Sequence, residues 1–162
     1  MCVYLSKMTR EYMHAFFKGF IYDPAININS GTTDKYQYDE DRVNEYFDKH
    51  QSQGKLHFAI ILENTVIGDV YLKHLDSVNH TCEIGIHMVN DLYKNRGYGT
   101  QGLIQMIEYA FCNLDIEAIY AETLITNHRS NNALMKAGFK LIAQNDEMCK
   151  YVCQKQSIMI LA

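Results

Sequence analysis

Residues 91–100 read DLYKNRGYGT and lie between an apolar run typical of a strand and an amphipathic stretch typical of a helix. Two glycines separated by one residue, Gly97 and Gly99, leave backbone N–H groups uncovered where that helix begins. These N–H groups and the positive end of the helix dipole favour a phosphate or pyrophosphate. Lys94 and Arg96 add positive charge beside them. The stretch therefore predicts a site for a phosphorylated ligand at a strand–helix junction.

The segments on either side of this stretch predict a mixed α/β chain. Apolar or β-branched runs predict strands at 2–5, 56–62, 66–72, 80–89, 116–125, 139–143 and 148–159. Apolar residues at helical spacing predict two helices capped by Thr9 and Asp39, and two more at 97–113 and 127–137, the last ended by Gly138. Between Tyr22 and Lys35 the polar, turn-rich sequence predicts a long loop.

Length and composition restrict the classes of function. The 162 residues, 48% of them hydrophobic, suffice for one buried core, which predicts a single domain over 1–162. A net charge of -4 lacks the excess of Lys and Arg that nucleic acids demand, and no apolar run approaches the roughly 20 residues of a membrane helix. Neither partner is predicted. Five cysteines without a Cys-x-x-Cys pair favour reduced thiols in the cytoplasm, with no disulfide framework and no metal.

Residues 97–102 also satisfy Gly-x-Gly-x-x-Gly, the fingerprint of dinucleotide-binding folds. That fingerprint requires its first glycine directly after a strand, in the first unit of a long parallel sheet. Here seven residues separate Val89 from Gly97, and several strand-like runs come first. A dinucleotide-dependent oxidoreductase is therefore the less favoured alternative.

A second segment, residues 127–139 with the sequence NHRSNNALMKAGF, indicates which phosphorylated ligand to expect. Together with residues 94–99 (KNRGYG), it resembles the GNAT superfamily of acetyl-CoA-dependent N-acetyltransferases. The family's loop is Gln/Arg-x-x-Gly-x-Gly/Ala, and Lys94 departs from it by keeping the charge without the planar guanidinium. The family's later motif, Asn-x-x-Ser/Ala followed by Gly-Phe, is met by Asn127, Ser130, Gly138 and Phe139. Residues 83–86 are similar to the branch that includes ribosomal-protein N-terminal and spermidine acetyltransferases.

The resemblance implies a central, mostly antiparallel sheet with helices on both faces and two splayed strands that form a cleft for acetyl-CoA. It implies direct transfer of the acetyl group to a primary amine of a small molecule or a protein N-terminus, and it allows a homodimer, because related proteins often dimerise. The backbone of 87–89 would bind the pantetheine arm like an added strand, and the amides of 95–100 would grip the pyrophosphate. The implied acetyl-CoA-binding residues are His87, Met88, Val89, Lys94, Asn95, Arg96, Gly97, Tyr98, Gly99, Thr100 and Asn127.

Acetyl transfer to an amine also needs a proton acceptor and donors for the developing oxyanion. Glu83 is the predicted acceptor, because its neighbours Cys82 and Ile84 are expected to surround it with apolar groups that raise its pKa. The alternative is a solvated or salt-bridged carboxylate. Main-chain N–H groups of residues 88 and 89 are expected to stabilise the oxyanion. A lone histidine in this position is more often packed or hydrogen-bonded than catalytic, and His87 is interpreted in that way.

No tyrosine is expected to donate a proton to the leaving thiolate. Leu134 stands where many members of the family carry Tyr, and Ser130 is predicted to assist the thiolate in its place. A capping role for Ser130, or departure of the thiolate without an acid, are the alternatives. The missing tyrosine also keeps open a second class of function, a CoA-binding module without useful turnover.

Overall fold

The computed structural model describes residues 2–22 and 36–156. The strands are β1 (Val3–Lys7), β2 (Leu56–Leu62), β3 (Thr65–Asp76), β4 (Thr81–Met88), β5 (Ala118–Leu124), β6 (Lys140–Gln144) and β7 (Met148–Gln154). The helices are α1 (Arg10–Gly19), α2 (Glu40–Ser52), α3 (Tyr98–Asn113) and α4 (His128–Lys136), with a short 3-10 turn at Asp91–Tyr93. The predicted loop between Tyr22 and Lys35 lies outside the described residues from 23 to 35, as do residues 157–159 of the last predicted strand.

Local side chains fix where the helices begin and end. The Thr9 hydroxyl accepts the Tyr12 N–H at the start of α1, and the Asp39 carboxylate accepts the Arg42 N–H at the start of α2. Each bond satisfies one of the N–H groups that a helix start leaves unpaired. Gly138 follows α4 with φ 99, a value that only glycine adopts readily. These three predictions are confirmed.

The seven strands form one sheet in the order β1-β2-β3-β4-β5-β7-β6, antiparallel everywhere except between β4 and β5. Side chains alternate between its faces: Ile60 packs in the core beneath α3, whereas Ala59 and Ile61 pack against α1 and α2. The predicted mixed sheet with helices on both faces is confirmed. A dinucleotide-binding fold needs a mostly parallel sheet, so that alternative is wrong.

The parallel pair β4 and β5 separates along its length. The two strands pair only between residues 81–83 and 118–120, and β4 then continues to Met88 without a strand on that edge. A wedge therefore opens in the middle of the sheet, as expected for splayed strands. None of the helices within 2–22 and 36–156 combines the length and the apolarity that crossing a membrane requires.

Candidate active site

The N-terminus of α3 closes one end of the wedge. Gly97 precedes the helix in the left-handed region (φ 81), and no side chain caps the helix start. The first turn contains no acidic residue. The N–H groups of residues 98–100 and the helix dipole are thus available to an anion from outside the helix. This geometry agrees with the phosphate site that the two glycines predict.

Two cations stand beside this anion site. Lys94 Nζ lies 2.9 Å from Asp91 Oδ1, and Arg129 Nη1 lies 3.0 Å from the same oxygen. Hydrogen bonds from Lys94 and Arg129 lower the pKa of Asp91, so the carboxylate is ionised at neutral pH. Arg129, which lies outside the predicted set, can therefore be shared between Asp91 and a ligand phosphate, as can Lys94.

A cleft of about 620 Å³ runs from this site along the end of β4. It has the size of a typical small-molecule site. Of the predicted residues, those that line it are His87, Met88, Lys94, Asn95, Gly97, Gly99, Thr100, Asn127 and Ser130. Val89, Arg96, Tyr98 and Glu83 are not part of its lining. Phe20, Ile21 and Tyr22, which follow α1, and the start of α4 also line it.

The backbone of Val89, a predicted pantetheine contact, makes hydrogen bonds within the protein. The Val89 N–H donates to the Ile67 carbonyl (2.9 Å), and the Val89 carbonyl accepts the Ile21 N–H (2.9 Å). The Val89 N–H is therefore used within the sheet and is not left for an oxyanion, and the carbonyl already accepts one bond. These bonds weigh against the predicted contact of Val89, and they arise because the segment after α1 reaches the end of β4, which the sequence analysis did not anticipate.

The same bond identifies which backbone groups face the open wedge. N–H and C=O groups of an antiparallel strand alternate between its two edges. Since Val89 bonds β3, the backbone groups of His87 also point to β3, and those of Met88 and Ile86 point to the open edge. A Cβ on Gly68 of β3 would lie 2.6 Å from the His87 carbonyl oxygen, which agrees with this direction. The backbone groups of Met88 and Ile86 thus face the open edge, and His87 presents only its side chain.

The first turn of α4 brings two predicted residues to the cleft. Asn127 caps the helix, because its side-chain Oδ1 accepts the Ser130 N–H at 3.1 Å. Ser130 is therefore not the cap, and it lines the cleft. Leu134, one turn later, is only 3% exposed and packs in the core. The helix presents Ser130 to the cleft and buries Leu134, at the position for which the resemblance implied tyrosine.

Glu83 does not have the surroundings that the sequence predicted. Its carboxylate lies 3.2 Å from Lys73 Nζ and 3.0 Å from His74 Nδ1, and its side chain is 40% exposed. Burial raises the pKa of Glu83, but the hydrogen bonds from His74 and Lys73 outweigh it, and the net shift is downward. The expected rise in pKa is wrong, and the salt-bridged alternative describes the residue.

A tyrosine ring separates Glu83 from the cleft. Glu83, Gly85 and His87 share one face of β4, and the Tyr71 ring covers Gly85 so closely that an added Cβ would meet it. Four residues of strand place Glu83 roughly 13 Å from His87. Glu83 instead lines a second pocket of about 440 Å³ on the open sheet face.

The structure also contains a buried charge that the sequence analysis missed. Asp69 lies in the middle of β3, is 3% exposed, and hydrogen-bonds one side chain on each neighbouring strand, His57 and His87. The signal was an aspartate inside the apolar run 66–72, read only as a strand. Within 2–22 and 36–156, no three His, Cys, Asp or Glu side chains are placed to hold a metal ion.

The sequence matches one family model along most of its length. The model is that of the acetyltransferase (GNAT) domain, and it matches residues 3–140. No curated protein matches the sequence significantly.

Solved structures of acetyltransferases have a similar fold. AAC(6')-Ib in complex with paromomycin and acetyl-CoA is 15% identical, with a TM-score of 0.78 over 98% of this chain and 97% of that one. A spermidine N-acetyltransferase SpeG chimera from Vibrio cholerae and hSSAT is 15% identical, with a TM-score of 0.74 over 98% and 99%. FdhC, a nucleotide-linked sugar GNAT in its apo form, is 18% identical, with a TM-score of 0.78 over 98% and 90%. At these identities the likeness establishes the fold.

Proposed function

Because the chain belongs to the acetyltransferase (GNAT) family, we propose that it transfers an acetyl group from acetyl-CoA directly to a primary amine of a small molecule or a protein N-terminus. The observation that carries this proposal is the wedge between β4 and β5, which leads to the uncapped start of α3. Acetyl-CoA supplies an acyl group activated as a thioester. The chain supplies the anion site, the open strand edge and the groups that handle protons.

The proposed position of acetyl-CoA follows from these groups. The N–H groups of residues 98–100 bind the pyrophosphate, with Lys94 and Arg129 as flanking cations. The open edge at Ile86 and Met88 hydrogen-bonds the pantetheine arm as a neighbouring strand would. The Asn127 amide, whose Oδ1 is used as a cap, has its N–H₂ group left for the arm near the thioester.

The same edge provides part of the chemistry. An N–H on the open edge of β4, at Ile86 or Met88, is placed to donate to the developing oxyanion. The Ser130 hydroxyl, at the same cleft, assists the departing thiolate. Glu83 was predicted as the proton acceptor, and replacing it with glutamine tests that role. Its salt bridges and its distance from the cleft favour another acceptor.

The acceptor amine, the location and the assembly belong to the same proposal. Solved acetyltransferases of this fold include proteins named for aminoglycosides and for spermidine, which supports an amine as acceptor here. The cysteines at 2, 82, 112, 149 and 153 are free thiols, which supports a reducing compartment such as the cytoplasm. We propose one acetyltransferase domain over 1–162, and a homodimer is compatible with it.

Two measurements test the proposal. Isothermal titration of the purified protein with acetyl-CoA, with NADH as the control titrant, is expected to show binding of acetyl-CoA alone. Thiol release, followed with a thiol-reactive dye, is then measured with spermidine, paromomycin and a peptide with a free N-terminus. Release that depends on one of these amines supports the proposal. Absence of acetyl-CoA binding refutes it together with every site assignment.

A CoA-binding module without turnover is the second candidate function, and the burial of Leu134 is the observation that favours it. A module binds acetyl-CoA and releases no thiol above the hydrolysis rate with any of the three amines. The Ser130→Ala variant separates the two candidates further, since it slows an enzyme that uses the hydroxyl and changes nothing in a module.

A further inference from the structure

A buried chain of hydrogen bonds connects the surface to the cleft. Lys55 Nζ lies 3.2 Å from His50 Nε2, and His50 Nδ1 lies 3.5 Å from His57 Nδ1. His57 Nε2 lies 2.6 Å from one carboxylate oxygen of Asp69, and His87 Nδ1 lies 3.1 Å from the other. No buried polar side-chain atom in the described part of the chain is left without a partner. The chain ends at His87, which lines the cleft.

The chemistry of its two ends fixes the direction of every bond. An ammonium group only donates and a carboxylate only accepts. Lys55 therefore donates to His50, His50 donates to His57, and His57 donates to Asp69. Burial and the nearby Lys55 charge lower the pKa of His50 to about 4, which keeps that ring neutral. The Lys55 charge thus balances the buried Asp69 carboxylate through two rings.

The same argument fixes the tautomer of His87. Asp69 accepts from His87 Nδ1, so this nitrogen carries the hydrogen and the lone pair is on Nε2. The His87 side chain is 39% exposed, and among the described residues no group other than Asp69 hydrogen-bonds its ring. Tyr71 packs against the ring with its centroid 5.8 Å away, which limits the ring's orientation. Nε2 is thus held as an open proton acceptor at the cleft.

We propose that His87 is the catalytic proton acceptor for the amine and that Asp69 is the positioning residue that fixes its tautomer and orientation. The proposal rests on the acetyltransferase function proposed above. It replaces Glu83 in the role that the sequence predicted for that residue. It needs no group that the cleft lacks, since His87 already lines it.

The step balances in atoms and charge. His87 Nε2 takes one proton from the acceptor's ammonium, which frees the nitrogen lone pair to form the C–N bond with the acetyl carbon. The C–S bond breaks, and sulfur leaves with its electron pair. The second proton lost by nitrogen ends on sulfur, and Ser130, which lines the cleft, is the side chain assigned to assist that transfer. The products are the acetamide, the free CoA thiol and one proton, which His87 returns to water.

The surroundings of His87 determine how the rate should depend on pH. Burial lowers the pKa of His87, but the charge and the hydrogen bond of Asp69 outweigh it, and the net shift is upward. On β3 the groups facing the ring are Asp69 and Tyr71, and the Lys55 charge acts from the far end of the chain. The other titratable groups of the cleft are Tyr22, Tyr93, Lys94, His128, Arg129 and Lys136. The acid limb of kcat/KM is therefore expected above the ordinary histidine pKa, and Asp69→Asn moves it to lower pH.

The experiment compares His87→Gln, Asp69→Asn and Glu83→Gln with His80→Gln. His80 Nδ1 pairs with Asp115 at 3.0 Å on the exposed surface, outside both pockets, so its variant is a matched histidine–carboxylate control. The kcat/KM of each protein is measured from pH 5.5 to 9 with the best acceptor among spermidine, paromomycin and the peptide. Titration with acetyl-CoA shows that each variant still folds and binds. Nitrogen-15 spectra of the histidine rings report the tautomer and the pKa of His87 without turnover.

His87→Gln is expected to lower kcat/KM by about 10²-fold or more and to abolish the acid limb, with acetyl-CoA affinity retained. Asp69→Asn is expected to shift the limb to lower pH, an effect that a merely structural role would not produce. Wild-type activity in His87→Gln, or loss in Glu83→Gln alone, overturns the inference and leaves acetyl transfer intact. Nε2-protonated neutral His87 in the spectra also overturns it. A wild-type protein that binds acetyl-CoA and acetylates no amine refutes the proposed function instead.

Discussion

Replacing Gly97 with alanine should cost a fixed amount of free energy. That cost should appear as a lower unfolding free energy, as weaker acetyl-CoA binding, or as a combination of the two. Gly97 has φ 81, and an added Cβ would meet no atom within 4 Å, so the whole effect comes from the backbone. A residue with a Cβ costs about 1–2 kcal/mol in this conformation. That cost equals a factor of roughly 5 to 30 in an equilibrium constant.

The division depends on what the loop does. If alanine stays in the left-handed conformation, the unfolding free energy falls by the full cost and the affinity is unchanged. If the loop relaxes, stability is largely retained, but acetyl-CoA must restore the strained conformation in order to meet the N–H groups of residues 98–100. The unfolded chain and the bound complex are the same in both cases. The loss of stability and the loss of binding free energy should therefore sum to about 1–2 kcal/mol.

Gly138 provides the matched control. It also has a positive φ, 99, with no atom within 4 Å of an added Cβ, but it follows α4 and does not line the cleft. Gly138→Ala should lower the unfolding free energy measured in urea by the full cost and leave the affinity for acetyl-CoA unchanged. The reduced entropy of the unfolded chain is the same for both substitutions and cancels in the comparison. Equal loss of affinity in the two variants, or no loss of either kind in Gly97→Ala, would refute the assignment of the loop.

Three further perturbations test other parts of the structure. Asp91→Asn should strengthen acetyl-CoA binding about two- to fivefold at low salt and less at high salt, because Asp91 competes with the phosphates for Lys94 and Arg129. Weaker binding would mean that Asp91 instead positions these two cations. His50→Gln should reduce the loss of unfolding free energy as the pH falls from 6.5 to 4. With a pKa of about 4, native His50 does not take up the proton that the unfolded chain binds in this range. Urea titrations at pH 7 and 5 that show the same loss of unfolding free energy in the variant and the wild type would contradict this. Gly68→Ala should lower the unfolding free energy by about 1–3 kcal/mol, since its Cβ would lie 2.6 Å from a carbonyl oxygen of β4, and an unchanged urea midpoint would show that the strands separate freely.

Features set by neighbours in sequence could be predicted, and features set by the pairing of strands could not. The caps at Thr9 and Asp39 and the left-handed Gly138 depend on a few adjacent residues, and each was predicted correctly. The surroundings of Glu83 depend on the register of β3 against β4, which places Lys73 opposite it. No pattern within one strand contains that register.

The same limit explains why Asp69 was missed. An aspartate in an apolar run predicts only a strand with one awkward residue, because its partners are distant in sequence. His57 and His87 lie 12 and 18 residues away, on the two strands that flank β3. Three separate strands must be aligned before the carboxylate acquires a partner on each side. The loop at Gly97 was predictable for the opposite reason, since its cradle is made by consecutive residues.

The two faces of β4 argue for direct transfer without an acyl-enzyme. Cys82 is the cysteine of this strand, but it packs in the core beneath α3, and burial, with the Glu83 charge, raises the pKa of its thiol to about 11. Such a thiol is a poor nucleophile at neutral pH. His87 lies on the other face of the strand and at the cleft, so a proton acceptor reaches the wedge where a thiolate does not. Under the proposed function, an amine that enters beside His87 would meet the open edge of β4 directly, which favours transfer without a covalent intermediate on Cys82.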